Sequence, residues 1–378
     1  FRHHDHTTVI TPPSTLGILG GGQLGKYFVE AARTMGYRTA VLEPDADAPA
    51  GRIADEHIVA AYDDQSALKR LASMCAVVTT EFENPPARSM LMLAKHTMVH
   101  PSPNAVAIAQ DRRSEKGFLS KLRIPIAPYA EIETKADVAY AAEFQYPAIL
   151  KTNRMGYDGK GQVSVAGHRE LATAWQQLDR QPCVLEQRLR LDAEVSVVMA
   201  RGQDGKTAVY PVARNVHVNG ILDSTTVPYS ASRATILADR IAAGLEYVGV
   251  LAVEMFVVAG RLLVNELAPR PHNSGHWTLD AARTSQFEQQ VRAVCGANLG
   301  DPSLTAPAVA MVNLLGDLWA GGEPDWSAAL SDPHASLHLY GKSTARPGRK
   351  MGHITVTAAT PDEARRRAMA TRLALTAG

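Results

Sequence analysis

The run Thr15-Leu16-Gly17-Ile18-Leu19, then Gly20-Gly21-Gly22, then apolar residues at helical spacing from Leu24 to Met35 leaves the first third of this chain few architectures. It reads as a short buried strand, a glycine turn and an amphipathic helix, with Arg38 to Leu42 as the next strand. A strand, crossover helix and strand in this order make a right-handed parallel pair. The alternation continues with a strand at His57 to Ala60, a helix around Ser66 to Ala72, a strand at Ala76 to Thr79 and a helix near Pro86 to Ala94. Residues 15–114 are therefore expected to form a doubly wound, Rossmann-like α/β domain.

After residue 114 the texture changes. Glycine loops join β-rich segments such as YPAILK, GQVSV, CVLEQRL and AEVSVVMA, with helical stretches at Lys135 to Glu143 and Glu170 to Leu178. This predicts an α+β central domain over 115–300 and a small β-rich C-terminal domain over 301–378, closed by a helix from Pro361 to Leu373. Residues 1–14, with His3, His4 and His6, are expected to be a disordered leader lacking the apolar core of a secretory signal. A formal net charge of +1 gives no global pull towards nucleic acid or a membrane surface, and no apolar run approaches the about 18 residues of a membrane span. Cys75, Cys183 and Cys295 lie far apart in apolar surroundings and read as buried free thiols of a cytoplasmic protein.

Three segments carry chemistry. Gly20, Gly22 and Gly25 fit G-x-G-x-x-G after a strand, with Glu43 ending the second strand, the pattern of a dinucleotide site. The physical content is narrower: unobstructed amides at a helix N-terminus favour a phosphate or carboxylate, from a nicotinamide cofactor or any phosphorylated metabolite. Lys151 ends an apolar strand just before Gly156-Tyr157-Asp158-Gly159-Lys160-Gly161-Gln162, where close-approaching amides beside an ammonium suit a triphosphate, although a β-hairpin turn would use the same glycines. The third is Leu251 to Phe256, the turn Ala259-Gly260-Arg261, and Leu262 to Leu267. A loop of Ala259 to Arg261 sets Glu254 opposite Glu266, and two carboxylates that close between apolar neighbours call for a cation; magnesium fits. A register slip of one residue would put Asn265 there instead. The stiff exit Ala268-Pro269-Arg270-Pro271-His272-Asn273-Ser274 brings polar groups beside the pair, with Arg270 suited to a transferring phosphoryl or acyl phosphate. Near the C-terminus, Lys342, Arg346, Arg349 and Lys350 cluster around Pro347 and Gly348, donors suited to a phosphate.

Taken together, Lys151, the GYDGKGQ loop, the EQRL segment, the Glu254/Glu266 hairpin and APRPHNSGHW resemble the ATP-grasp superfamily, and more narrowly the N5-carboxyaminoimidazole ribonucleotide synthases. The resemblance runs from GGGQLG to YGKSTARPGRKMGHI; GGGQLG, EFEN and RPHNSGHW set it apart from the formate-using glycinamide ribonucleotide transformylases of the same superfamily. It implies ATP- and bicarbonate-dependent carboxylation of aminoimidazole ribonucleotide in purine synthesis, with Mg2+ and, as is usual for the family, a homodimer. For ATP it implies Arg112, Lys151, the loop from Gly156 through Tyr157, Asp158, Gly159, Lys160 and Gly161 to Gln162, then Glu186, Gln187, Arg188, Leu189, Glu194, His217, Asn265 and Glu266. For the metal it implies Glu254 and Glu266. For the ribonucleotide it implies Gln23, Leu24 and Glu83, with Lys342, Arg349 and Lys350 on its phosphate; Asn273 and Ser274 are expected beside it, and Arg270, Tyr157, Asp158 and His272 at the reacting centre. A nicotinamide-dependent oxidoreductase is the alternative from a different class, resting on the glycine turn alone.

Overall fold

In the computed structural model, residues 9–156 and 160–376 are described. Strands β1 (Thr15–Leu19), β2 (Arg38–Leu42), β3 (Glu56–Ile58), β4 (Val77–Thr80) and β5 (Met98–Val99) pair in parallel in the order β3-β2-β1-β4-β5. The expected alternation is present: the helix after β1 spans Gln23–Thr34, and β1 and β2 have the predicted bounds. The polar exception is at the start. Ile10 donates its amide to the Cys295 carbonyl at 2.9 Å and accepts from the Tyr37 hydroxyl at 2.8 Å, so the leader is not disordered as far as residue 14. Ile10 also packs against the core that holds Tyr37 and Cys295; His3, His4 and His6 lie outside the described residues.

A second, antiparallel sheet holds β6 (Tyr129–Ile132), β7 (Ala148–Thr152), β8 (Gln162–Val165) and β9 (Cys183–Gln187) in the order β6-β9-β7-β8. The third contains β10 (Ala193–Arg201), β11 (Thr207–Val209), β12 (Ala213–Val218), β13 (Ile221–Val227), β14 (Gly249–Val258), β15 (Arg261–Ala268), β16 (Ala308–Leu315), β17 (Ala335–Leu339) and β18 (Lys350–Ala358). Its order is β15-β14-β10-β12-β13-β16-β18-β17, with β11 pairing the end of β10 on the same edge as β12. The last three strands are thus hydrogen-bonded into the central sheet through β13 and β16, so the C-terminal β-rich region has no sheet of its own. Alternating apolar residues explain the burial: Val195, Val197 and Met199 of β10 and Leu251, Val253 and Met255 of β14 share one core with the helix Ser232–Gly244. Cys75, Cys183 and Cys295 are buried and unpaired, and among the described residues no helix is long and apolar enough to cross a membrane.

The hairpin β14–β15 differs from expectation in an instructive way. Val258 pairs with Arg261, so the loop is the two residues Ala259 and Gly260, with φ of 48° and 71°. Two left-handed residues in a two-residue loop are the type I′ signature. That turn alone would set Asn265 opposite Glu254. A bulge between Met255 and Glu254 absorbs Asn265, and beyond it Glu254 faces Glu266 as expected.

Candidate active site

The glycine turn is filled from within. Glu81, at the end of β4, accepts from the amides of Gly22 at 2.5 Å and Gly25 at 2.7 Å, while Glu43 accepts from Gly21 at 2.8 Å and from the Tyr62 hydroxyl at 2.6 Å. The helix starts so close to the turn that a Cβ on Gly25 would stand 2.8 Å from the Gly20 carbonyl oxygen. Burial raises the pKa of Glu81, against the pull of those two amides. The amides that would cradle a pyrophosphate are therefore committed to the chain's own carboxylates, and the nicotinamide reading loses its one support. Sequence reasoning missed Glu81 because its partners lie 56 and 59 positions away. Its only signal was a polar residue at the carboxyl end of a buried parallel strand, where such sheets place ligands.

Beside this turn opens a cleft of about 700 Å³ between the parallel sheet, the hairpin and the segment after β17. Of the residues expected at the site, Gln23, Leu24, Glu83, Gly156, Lys160, His217, Glu254, Glu266, Arg270, His272, Asn273, Lys342, Arg349 and Lys350 line it. One wall carries the carboxylates. His272 Nε2 lies 2.9 Å from Glu254 Oε1, and Arg112 Nη1 lies 3.2 Å from Glu266 Oε2. Burial would raise the pKa of Glu254, but His272, with His217 and Lys350 beyond, holds it well below the usual range. Asn265, pushed out of the ladder by the bulge, keeps a buried Oδ1 without a hydrogen-bond partner. Two opposed carboxylates and an orphaned amide oxygen form an all-oxygen donor set, the kind magnesium takes.

The loop after β15 holds the reacting-centre candidates. The side chain of Arg270 pairs with Glu83 and donates to the Pro271 carbonyl at 2.8 Å, and burial brings its pKa down to about 10 despite Glu81 nearby. His272 is fixed on its other side, where Nδ1 lies 2.8 Å from Ser274 Oγ. Ser274 was expected at the substrate; instead it is fully buried, 2.8 Å from Ser196 Oγ, and supports the imidazole from behind. Asn273 lines the cleft but locks its amide against Asn313 through bonds of 2.6 and 3.0 Å.

The cleft is also basic in part. Lys342, Arg346, Arg349 and Lys350 line it, with Pro347 and Gly348 at the turn. Lys342 Nζ donates to Gln23 Oε1 at 2.7 Å and to the Lys350 carbonyl at 2.5 Å, tying the C-terminal strands to the start of the first helix. A cleft that holds both an acidic pair and a basic cluster suits a ligand set containing both a metal-bound polyphosphate and a second phosphate.

The remaining nucleotide candidates stand beside the cleft rather than in its lining. Glu194 Oε2 lies 2.7 Å from His217 Nδ1, and although burial opposes charging of the imidazole, Glu194 and Glu254 raise its pKa. Lys151 Nζ lies 3.0 Å from Glu186 Oε1, so the Glu186 carboxylate, expected at the adenine, is already engaged. Gln187 donates to Gln145 at 2.9 Å, Arg188 and Leu189 follow at the strand exit, Arg112 also donates to the Gly156 carbonyl at 3.3 Å, and Gly161 and Gln162 open β8. Tyr157, Asp158 and Gly159 lie outside the described residues. Sequence reasoning missed two buried neighbours, Glu115 and Lys116. Their signal was faint, an acid–base pair where the first turn ends in a helix that opens on the already suspected Arg112.

A second group with metal-ligand chemistry lies behind Tyr27: Asp280, His338 and His353. His338 Nε2 is 2.9 and 3.0 Å from the two Asp280 oxygens, and its ring stacks on His353 at 4.4 Å with 13° between planes. Nearly parallel imidazoles do not aim lone pairs at one point, so this cluster reads as packing where three parts of the chain meet.

Comparison with known proteins follows the same order along the chain. Residues 14–110 match the ribonucleotide synthetase preATP-grasp domain, 117–287 the ATP-grasp domain and 309–367 the phosphoribosylaminoimidazole carboxylase C-terminal domain. The N5-carboxyaminoimidazole ribonucleotide synthase of Brucella melitensis is 45% identical over 357 residues, covering 92% of this chain and 97% of its own. An N5-carboxyaminoimidazole ribonucleotide synthetase solved with ADP superposes with a TM-score of 0.91 at 40% identity, over 97% of this chain and 98% of its own. The Aspergillus clavatus enzyme, solved with ADP and 5-aminoimidazole ribonucleotide, gives 0.87 at 31% identity over 96% and 98%.

Proposed function

From the membership of this chain in the N5-carboxyaminoimidazole ribonucleotide synthase family of ATP-grasp ligases, we propose how its own residues carry that family's reaction. The enzyme uses ATP and bicarbonate to carboxylate the amine of 5-aminoimidazole ribonucleotide, releasing ADP and phosphate in purine synthesis. The observation that carries the assignment of roles is the cleft itself, which brings the opposed Glu254 and Glu266 together with Lys342, Arg349 and Lys350.

ATP lies over Lys151 and Arg112, with Lys160 and the glycine loop closing on its phosphates and Glu194 and His217 towards its ribose. Glu254 and Glu266, with Asn265, are the residues that would hold magnesium, which when bound neutralises charge on the transferring phosphoryl group. Holding that ion would release Glu254 from His272 and Glu266 from Arg112. The guanidinium and imidazole would then be available to the anions of the reaction. Arg270, buried and still cationic, stabilises the acyl phosphate made from bicarbonate. The ribonucleotide sets its phosphate on Lys342, Arg349 and Lys350, and its ring near Gln23, Leu24 and Glu83, with Asn273 and His272 shaping the acceptor pocket. Closing the site keeps water from the labile intermediate. The enzyme acts in the cytoplasm as a homodimer paired through an edge of the N-terminal sheet, where β3 ends beside the exposed Val59.

The test is ADP release with Mg-ATP and aminoimidazole ribonucleotide in carbon-dioxide-depleted buffer, with bicarbonate then restored. Bicarbonate-stimulated turnover supports the reading. Turnover that instead requires formate and glycinamide ribonucleotide overturns it.

A further inference from the structure

We propose that Lys116 and Glu186 are positioning residues that fix both the place and the net charge of the Lys151 ammonium, a role that rests on Lys151 facing the nucleotide phosphates. Three neighbouring strands build the platform. Tyr129 of β6 pairs with Glu186 of β9, and Glu186 pairs with Ile149 of β7, so all three side chains share a face. Lys151 stands two residues further along β7 and so on that same face, within diagonal reach of Glu186.

The helix Arg112–Lys121 covers the platform, its first turn tied down by the Arg112 amide on the Asn153 carbonyl at 2.9 Å. Lys116 is one turn beyond Arg112 and points inward. Its Nζ lies 3.2 Å from Glu186 Oε2 and 5.5 Å from the Tyr129 ring, while the other carboxylate oxygen, Oε1, lies 3.0 Å from Lys151 Nζ. The side chains of Lys116 and Glu186 are 1% and 4% exposed, and that of Lys151 is 12% exposed. Water and ligand thus reach only the last member of the row.

This arrangement has a function that a simple Lys151–Glu186 pair would lack. A lone carboxylate would fix the ammonium but cancel its charge, leaving a neutral dipole facing the phosphates. Sharing Glu186 with a second, inaccessible ammonium keeps the row at a net charge of +1 while its geometry stays rigid. Burial of Lys116 beside nothing else anionic would be costly, and a neutral side chain of similar length would pack there without that cost. The retained charge is therefore assigned to the nucleotide side of the row.

The test is calorimetric titration of the full chain with Mg-ADP, with thermal melting to verify folding. K116M leaves Lys151 and Glu186 as a neutral pair, and ADP affinity is expected to fall by on the order of tenfold. E186Q leaves two cations and is expected to hold ADP as tightly as the parent or more so, with product release slowed. The double variant K116M/E186Q returns the row to +1 and is expected to recover affinity to within about threefold of the parent. K116R, which keeps the charge, is expected to match the parent. A purely structural row predicts instead that each loss weakens binding and that the double variant is no better than K116M. That pattern, or unchanged ADP affinity in a folded K116M protein, overturns the proposal. So does a folded E186Q protein that binds ADP tenfold more weakly, an arm that stands even where K116M does not fold. Failure of the parent protein to bind Mg-ADP would instead overturn the nucleotide-site reading on which the role depends.

Discussion

Glu81 and Glu254 are both partly buried carboxylates in or beside the cleft, yet they meet their charge in opposite ways. Glu81 is held by two backbone amides at a helix start, which cannot leave. Glu254 is held by the side chain of His272 and faces Glu266, whose counter-charge is the side chain of Arg112. Fixed partners make a carboxylate part of the scaffold. Partners that can swing away make it available to a cation, so counting buried acids says less about function than asking what neutralises each.

The sharpest way to break this contrast is to remove one charge of each kind. E254Q or E266Q is expected to lower bicarbonate-stimulated ADP release by on the order of 10³-fold. Melting should fall modestly in E254Q, whose carboxylate is paired with His272, and little in E266Q, where losing one of two opposed carboxylates relieves repulsion; a large loss of melting temperature with activity retained would reverse the assignment. E81Q is expected to do the opposite, costing roughly 2–3 kcal/mol of stability because an amide NH₂ would face a backbone N–H. Urea denaturation measures it, and an unchanged midpoint would show that the glycine turn does not need the charge.

Glu115 sharpens the comparison as a third case. It accepts from the Leu267 amide at 2.6 Å, and burial, with Glu266 nearby, raises its pKa to about 8. Against an unfolded value of about 4.3, the folded state retains a proton that the unfolded chain gives up. Stability from this group is therefore full below about pH 4.3 and declines as pH rises to about 8, by up to about 5 kcal/mol. E115Q should flatten that part of the melting-temperature profile; a profile identical to the parent's would mean Glu115 is ionised in the fold. Smallest is A259G at the hairpin turn, where the left-handed φ of 48° favours glycine and a gain of about 0.5–1 kcal/mol is expected. Any change in the magnesium dependence of this variant would show that the turn, and not the bulge, sets the spacing of the two glutamates.

The sequence made the local part of this legible. The strand, turn and helix from Thr15 to Leu42 follow from periodicity, because each element's signal lies within its own residues. Facing of Glu254 and Glu266 was also expected, but from a loop one residue too long; the turn is shorter and the bulge at Asn265 restores the register. Nothing in LLVNEL marks which residue leaves the ladder, since bulges are settled by packing on both sides. Glu81, Lys116 and Ser274 were not legible for a common reason. Each owes its role to a partner brought in by the tertiary fold: the turn at Gly22, the strand at Glu186 and the core at Ser196.

Continuity of the long sheet has a consequence for anyone recombining these enzymes. A cut between residues 287 and 309 looks natural when the chain is divided by its matched segments, yet it severs β13 from β16. The amino-terminal piece would keep Glu254 and Glu266 with the β13 edge uncovered, and the other piece would carry Lys342 and Lys350 with its first strand paired on one side only, to β18. Chimeras should therefore exchange β13 together with everything after residue 308, treating heredity of the sheet and not of the domain as the unit of transfer.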